Sequence, residues 1–143
     1  MALFGEWSVF KIFDKKRKEF LCFMMSIPRE RYDDFNQRGE SFFSVIKNIK
    51  SGDIEVYLSY GQIMRSEIAR AEIDIAKRKF PVFTHDDRAW AFNYFDDGNI
   101  IELFKNSVLF SVEIEYVNGK HLIDVYSLSG FSEAYQELLK ICN

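Results

Sequence analysis

The sequence that decides the fold lies at residues 108–127 and reads VLFSVEIEYVNGKHLIDVYS. Apolar and polar residues alternate on both sides of Asn118-Gly119, as they do in strands with one buried face. An Asn-Gly pair favours a two-residue type I′ turn, because both central residues of that turn adopt positive φ. We therefore predict an antiparallel hairpin in which Ile114 and Tyr116 face the core.

Four stretches further out along the chain are also typical of strands. Residues 7–13 and 19–25 are rich in strand-forming side chains and flank a short charged segment, which predicts a second hairpin. Residues 54–60 alternate in the same way as the first hairpin. Residues 89–95 form a further predicted strand, and residues 96–99 (Asp-Asp-Gly-Asn) are predicted to turn the chain after it.

Four other stretches have the spacing of helices. A proline at position 28 fits the first turn of a helix that ends near residue 37. Residues 41–49 carry apolar side chains at i, i+3, i+4 and i+7. Residues 62–79 carry two apolar rows and opposite charges at i, i+4, and this pattern predicts the longest helix. Residues 71–75 also alternate between apolar and polar side chains, so a short strand is the alternative there. Ser132 is predicted to cap a final helix.

These elements together predict an α+β fold. We expect a single domain over residues 1–143, with a mainly antiparallel sheet of about five or six strands and helices packed on one face. A chain of this length can fold without a metal or disulfide staple. Cys22 and Cys142 lie far apart and lack CxxC spacing, so they are predicted to be reduced thiols, and a disulfide between them is the alternative.

Composition narrows the classes of function. No apolar run is long enough to span a membrane and the N-terminus lacks the pattern of a signal peptide, so we expect a cytoplasmic protein. The chain contains no phosphate-binding loop and no GxGxxG motif, so no cofactor is expected. Residues 1–80 carry 15 Lys and Arg against 12 Asp and Glu, whereas residues 81–143 carry 4 against 10. The acidic C-terminal part disfavours nucleic acid and anionic membranes as partners and suits a basic protein.

Two groups of side chains could take part in catalysis. His85 stands beside two aspartates, as a general base or a metal ligand would. Glu113 and Glu115 share one face of a predicted strand, with Lys120 across the hairpin, and this set faintly resembles the metal-binding arrangement of some nucleases. A small metal-dependent hydrolase that uses either group is therefore one alternative function. The structural explanations are a solvated loop for His85 and the solvent face of a sheet for the glutamates.

Three Asp-Asp pairs near aromatic residues form the remaining pattern. Carboxylates around aromatic anchors are the side chains with which an interface binds a basic protein, although Asp is also favoured in turns for structural reasons. The candidate partner-binding residues are Asp33, Asp34, Asp86, Asp87, Trp90, Tyr94, Asp96 and Asp97.

In size, acidity, aromatic content and lack of a catalytic signature, the chain resembles immunity proteins. These proteins protect bacteria from the toxins of polymorphic and contact-dependent growth-inhibition systems. The resemblance implies a protein-binding inhibitor that neutralises a cognate toxin by occluding the toxin's active site. A nuclease toxin would be basic and would suit the acidic C-terminal part. A structural or regulatory module that self-associates through strand edges or exposed aromatic residues is the third alternative, and the oligomeric state is left open.

Overall fold

The computed structural model describes residues 1–35, 37–63 and 67–142. These residues form eleven strands and two helices. In chain order they are β1 (Ala2–Phe4), β2 (Trp7–Asp14), β3 (Glu19–Ser26), β4 (Glu30–Asp33), β5 (Phe42–Lys47), β6 (Ile54–Ser59), β7 (Ile68–Ile75), β8 (Arg78–His85), β9 (Arg88–Ala91), α1 (Tyr94–Lys105), β10 (Leu109–Tyr116), β11 (His121–Ser127) and α2 (Phe131–Ile141).

All of these strands belong to one antiparallel sheet. Their order across the sheet is β1-β2-β3-β5-β6-β9-β8-β7-β10-β11-β4. The predicted fold class, an α+β domain built on five or six strands, is therefore wrong. The structure is mostly sheet. Three of the four segments predicted to be helical contain strands instead.

The segment predicted as a helix over residues 41–49 shows the physical reason. It contains β5, in which Phe43 and Val45 are fully buried in the core, whereas Phe42 and Ile46 lie on the opposite face of the sheet and are only half-buried. Both faces of the strand are apolar, so the sequence does not alternate. An unbroken apolar run cannot be distinguished from a helical stripe by its periodicity alone.

The other two predicted helices fail for related reasons. Residues 62–79 contain β7 and the start of β8, so the alternative of a strand over residues 71–75 is correct there. Residues 64–66 of that predicted helix lie outside the described part of the chain. The helix predicted from residue 28 is replaced by β4, which pairs with β11. Residue 36 of that helix is likewise outside the described part.

The predicted turn at residues 96–99 is wrong as well, because these residues form the first turns of α1. The predicted final helix is confirmed as α2, but Ser132 does not cap it. Gly130 occupies the N-cap position with a φ of +83°, and no side chain caps the helix there. A Cβ atom on Gly130 would overlap the carbonyl group of Phe4, so this close approach requires glycine.

Both predicted hairpins are confirmed. β2 pairs with β3 around the charged segment, and β10 pairs with β11 around Asn118-Gly119. Ile114 and Tyr116 are buried, as the alternation predicts. Local turn chemistry therefore determines these two pairings.

The sheet curls around an aromatic core. Phe43 on β5 lies with its ring centroid 4.8 Å from Phe110 on β10 and 5.8 Å from Tyr126 on β11. These strands are far apart in the order of the sheet, so their inner faces meet only because the sheet bends. Phe104 of α1 and Phe131 of α2 pack in the same cluster, 5.3 Å apart. Both helices thus fill the concave side of the sheet.

The two ends of the curled sheet are tied together. The indole nitrogen of Trp7 on β2 donates to the carbonyl oxygen of Ser127 on β11 at 3.0 Å. Three residues connect the end of β3 to β4, which pairs at the opposite end of the sheet. Near this end the buried guanidinium of Arg38 pairs with Asp33 and Asp124, and its Nε donates to the carbonyl oxygen of Tyr60 at 2.8 Å.

Cys22 and Cys142 form a disulfide, so the prediction of reduced thiols is wrong and the alternative is correct. Cys22 lies on β3 and Cys142 directly follows α2, with their Cα atoms 6.0 Å apart. Both side chains are fully buried. The pairing arises because α2 packs against β2 and β3, a proximity that sequence spacing does not reveal.

Candidate functional site

The face of the sheet opposite the helices carries a row of aromatic side chains, which we call the outer aromatic face. Each ring contacts the next one in a row that runs across β5, β6, β9 and β8. The centroid distances are 5.7 Å from Phe42 to Tyr57, 5.6 Å from Tyr57 to Trp90, 5.1 Å from Trp90 to Phe83 and 5.8 Å from Phe83 to Phe92. Phe83 and Phe92 are 44% and 58% exposed, so no layer of the described chain covers this end of the row.

One arginine of the chain already uses this face. The guanidinium of Arg88 lies 5.1 Å from the ring centroid of Phe42 and 5.7 Å from that of Tyr57. The same guanidinium is 3.6 Å from a carboxylate oxygen of Asp87. This part of the face therefore combines aromatic rings, a carboxylate and a cation, an arrangement that a guanidinium stabilises through both stacking and charge.

At the other end of the row the rings line a cavity of about 400 Å³, which we call the aromatic pocket. A second groove of about 610 Å³ adjoins it and shares Glu55 and Trp90. The aromatic pocket is lined by Glu55, Val56, Phe83, Trp90, Ala91, Phe92, Asn93, Tyr94 and Asp97.

The start of α1 forms one wall of the aromatic pocket. Asn93 is the N-cap residue of this helix, and its side-chain oxygen accepts a hydrogen bond from the backbone N–H of Asp96 at 2.9 Å. The cap satisfies one of the free N–H groups at the helix N-terminus. It also fixes Tyr94 at the rim of the pocket and directs Asp97 towards β6.

Asp97 joins α1 to the sheet. Its carboxylate accepts a hydrogen bond from the backbone N–H of Val56 at 2.8 Å. This N–H lies just beyond the last residue of β6 that pairs with β9, because the chain leaves the sheet after Ala91 to begin α1. A buried backbone donor needs a partner, and Asp97 supplies it.

The charged side chains that line the aromatic pocket are both acidic, Glu55 and Asp97. Burial raises the pKa of Asp97 from 3.8 to about 6, the Val56 N–H opposes this rise, and the charges of Glu55 and Asp96 add to it. The carboxylates of Asp53 and Glu55 raise the pKa of the exposed Tyr94 as well.

The carboxylates around the pocket lack cationic partners within the described residues. None of Asp53, Glu55, Asp96 and Asp97 lies within 4.0 Å of a lysine, arginine or histidine nitrogen in that part of the chain. Elsewhere many carboxylates are paired, for example Glu19, which is 3.2 Å from Lys50. The pocket therefore combines aromatic walls with carboxylates that form no ion pair among the described residues, and Arg17, Lys47 and Lys50 line the adjoining groove instead.

The structure brings together some of the partner-binding residues predicted from the sequence. Trp90, Tyr94 and Asp97 line the aromatic pocket, and Asp96 lies in the same first turn of α1. Asp97 is almost fully buried and serves the sheet as well, a role that the sequence did not suggest.

The remaining predicted residues lie elsewhere. Asp86 and Asp87 form the turn at the opposite end of β9 from the pocket, where Asp87 accepts a hydrogen bond from the hydroxyl of Ser59 at 3.2 Å. Asp33 pairs with Arg38, and the carboxylate of Asp34 accepts a hydrogen bond from the backbone N–H of His121 at 3.0 Å. Asp33, Asp34 and Asp87 therefore stabilise turns and strand ends, whereas the side chain of Asp86 is exposed.

Sequence reasoning missed two kinds of contributor to the pocket. Phe83 and Phe92 belong to no recognisable motif, although the alternation through β8 places Phe83 on the outer face. For Glu55 the sequence predicts only a place in a strand. No local signal joins Glu55 to Tyr94, because the pairing of β6 with β9 connects segments about 30 residues apart.

The two groups of side chains considered for catalysis are His85 and the pair of Glu113 and Glu115. His85 is exposed, with its Nε2 3.6 Å from a carboxylate oxygen of Asp86. Glu113 lies 3.6 Å from the ammonium of Lys79, and Glu115 lies 3.1 Å from the guanidinium of Arg70. Among the described residues, no group of three His, Cys, Asp or Glu side chains is arranged to hold a metal ion.

No protein-family model, no curated protein and no solved structure matches this chain. In the described ranges, neither helix has the length and apolar character that crossing a membrane would require. The site must therefore be interpreted from its own chemistry.

Proposed function

We propose that this chain is a protein-binding inhibitor of the immunity-protein kind, which neutralises a basic, nuclease-type toxin by covering the toxin's active site. The observation that carries the proposal is the outer aromatic face with unpaired carboxylates at one end. Exposed aromatic patches of this kind mark interaction surfaces, and aromatic anchors supply much of the binding free energy at protein interfaces.

Charge supports a basic partner. Residues 81–143, which include α1 and its acidic first turn, carry 10 acidic and 4 basic side chains. A nuclease must present lysine and arginine to phosphate groups, so an acidic surface can occupy the same cations. Association would then be accelerated by electrostatic steering and weakened by salt.

The proposed place of action is the cytoplasm, where a nuclease toxin meets its substrate. A buried disulfide is uncommon in that compartment, because cytoplasmic thiol systems keep cysteines reduced. The redox state of Cys22 and Cys142 in living cells, trapped by rapid alkylation, is therefore the direct check on location.

The test of the function is a purification from the native host with the tagged protein as bait, followed by inhibition assays. We expect one small basic protein to be retained at low salt and released at high salt. The purified partner should degrade nucleic acid, and an equimolar amount of this chain should stop that activity. Retention without inhibition would contradict the proposal.

Two variants make the test specific for the site. Glu55→Gln combined with Asp96→Asn removes two charges at the pocket, and we expect it to weaken binding at least tenfold. Glu133→Gln combined with Glu137→Gln removes the same charge from α2 and should leave affinity unchanged. An equal loss of affinity in both variants would show that the effect depends on net charge and not on the pocket. A concentration-dependent mass of the bait alone would favour self-association instead.

A further inference from the structure

The aromatic pocket lacks a component that the neighbouring part of the same face contains. Arg88 and Trp90 are two residues apart on β9, so their side chains lie on the same face of the sheet. At Arg88 the aromatic rings and the carboxylate of Asp87 surround a guanidinium. On the pocket side of Trp90 the rings and carboxylates recur, and the described lining of the aromatic pocket contains no cation; Arg17, Lys47 and Lys50 belong to the adjoining groove.

The walls of the pocket suit a flat cation. Phe83 and Trp90 are stacked with an angle of 19° between their planes, and Phe92 is 5.8 Å from Phe83. Tyr94 lines the pocket beside them and is 61% exposed. Aromatic rings attract cations most strongly where water is partly excluded, and arginine is the cation that most often stacks on them in proteins.

The charges at the pocket discriminate between occupants. Glu55 and Asp97 line the cavity, and Asp53 is close enough to Tyr94 to raise the pKa of its hydroxyl. An anion would be repelled here, and an apolar side chain would bury Glu55 and Asp97 without compensation. A guanidinium satisfies both the rings and the carboxylates.

We infer that the aromatic pocket is the anchor site for one arginine side chain of the partner protein. This inference rests on the proposed function, because it takes a basic protein as the occupant. The arginine would insert between the rings near Trp90 and Tyr94, with its guanidinium directed at Glu55 and Asp97. Its position would repeat, one step along β9, the arrangement that Arg88 already shows.

The test uses a small probe, so that it is independent of the partner's identity. Isotope-labelled full-length protein is titrated with N-acetyl-arginine-methylamide, and the ring signals of Trp90, Tyr94 and Phe83 are followed by NMR. The matched probe is N-acetyl-citrulline-methylamide, which has nearly the same shape and no charge. We expect saturable shifts confined to the pocket, with at least tenfold weaker binding of citrulline.

Variants connect the response to the site. Glu55→Gln combined with Asp97→Asn should weaken arginine binding at least tenfold, while the amide of residue 97 can still accept from the Val56 N–H. Glu133→Gln combined with Glu137→Gln is the control and should not change it. Tyr94→Leu alters an exposed ring and should weaken binding without affecting folding, which unchanged core signals would verify.

Several results would overturn the inference. Equal affinities for the arginine and citrulline probes would show that the positive charge is not recognised. NMR shifts outside the pocket would show that arginine binds at another site. Tighter binding of tetramethylammonium than of arginine would assign the pocket to a small quaternary ammonium ligand instead.

The outcome is separable from that of the proposed function. Arginine binding without any captured partner would support the inferred arginine site and refute the proposed inhibitor function. A captured and inhibited toxin whose affinity is unaffected by Glu55→Gln with Asp97→Asn would refute the anchor and leave the inhibitor.

Discussion

Replacing Cys22 and Cys142 with alanine removes the covalent link between β3 and the end of α2. The disulfide joins residues 120 positions apart, so it encloses most of the chain in a single loop. In the native structure both side chains are fully buried, and α2 also packs against β1 and β2. The native fold therefore keeps many contacts at this helix when the bond is lost, and the main change is in the unfolded state.

The size of the effect follows from the length of the closed loop. The chain-entropy relation for a loop of about 120 residues gives about 5 kcal/mol of stabilisation at 25 °C. Measured effects are often smaller than this relation predicts, so we expect the double variant to lose about 3–5 kcal/mol. With a urea m value of about 2 kcal/mol/M, the unfolding midpoint would fall by about 2 M.

The assay is urea unfolding of the wild-type protein with and without a phosphine reductant, compared with the double alanine variant. Reduction removes only the bond, whereas the alanines also remove two buried sulfur atoms. We expect both to destabilise, and the variant slightly more. Identical midpoints with and without reductant, or alkylation of two thiols in the unreduced protein, would refute the disulfide and the reasoning that depends on it.

Two further predictions concern Asp97 and a pair of glycines. The pKa of Asp97 is raised from 3.8 to about 6 by folding, so the folded state binds this proton more tightly than the unfolded state does. The contribution of Asp97 to stability is therefore fully present below pH 4 and is lost as the pH rises through about 6. Asp97→Asn should remove that dependence and, allowing for solvent at the pocket, gain about 1–2 kcal/mol relative to wild type between pH 4 and pH 7. Urea unfolding at both pH values measures the difference, and parallel curves would contradict it. Gly130→Ala, where φ is +83° and the added Cβ meets the Phe4 carbonyl, should destabilise by about 3 kcal/mol or more. Gly52→Ala, where φ is +76° and space is open, should lose only about 1 kcal/mol, and equal losses would show that the close approach at Gly130 has no energetic effect.

The sequence predicts those parts of the fold that depend on local chemistry. Asn118-Gly119 determines the β10–β11 hairpin wherever those strands lie in the sheet, because its backbone conformation suits a tight turn. Asn93 offered a comparable signal for α1, since it precedes an acidic first turn and caps it. The Asp-Gly pair at residues 97 and 98 favours a turn instead, and this competing signal conceals the helix.

The parts that could not be predicted depend on the curvature of the sheet. In β5 both Phe42 and Phe43 are apolar, one on the outer aromatic face and one in the core, so the usual contrast between faces is missing. The pairing of Cys22 with Cys142 and the meeting of Phe43 with Tyr126 likewise require a long-range topology. Periodicity within a short window carries no information about such contacts.

The charge of Asp97 makes the proposed binding of a cation at the aromatic pocket dependent on pH. Its structural task is to accept a hydrogen bond from the Val56 N–H, and the side-chain oxygen of asparagine could perform that task without charge. The chain instead keeps a carboxylate there, next to Glu55 and Asp96, where burial and like charges oppose ionisation. A cation in the pocket would reverse that opposition and lower the pKa of Asp97 towards 3.8. Cation binding would then release a proton, and affinity would rise as pH increases from about 4 to about 6. The electrostatic strain of the free protein is therefore one that the proposed basic partner would relieve, and perturbed groups of this kind cluster at functional sites.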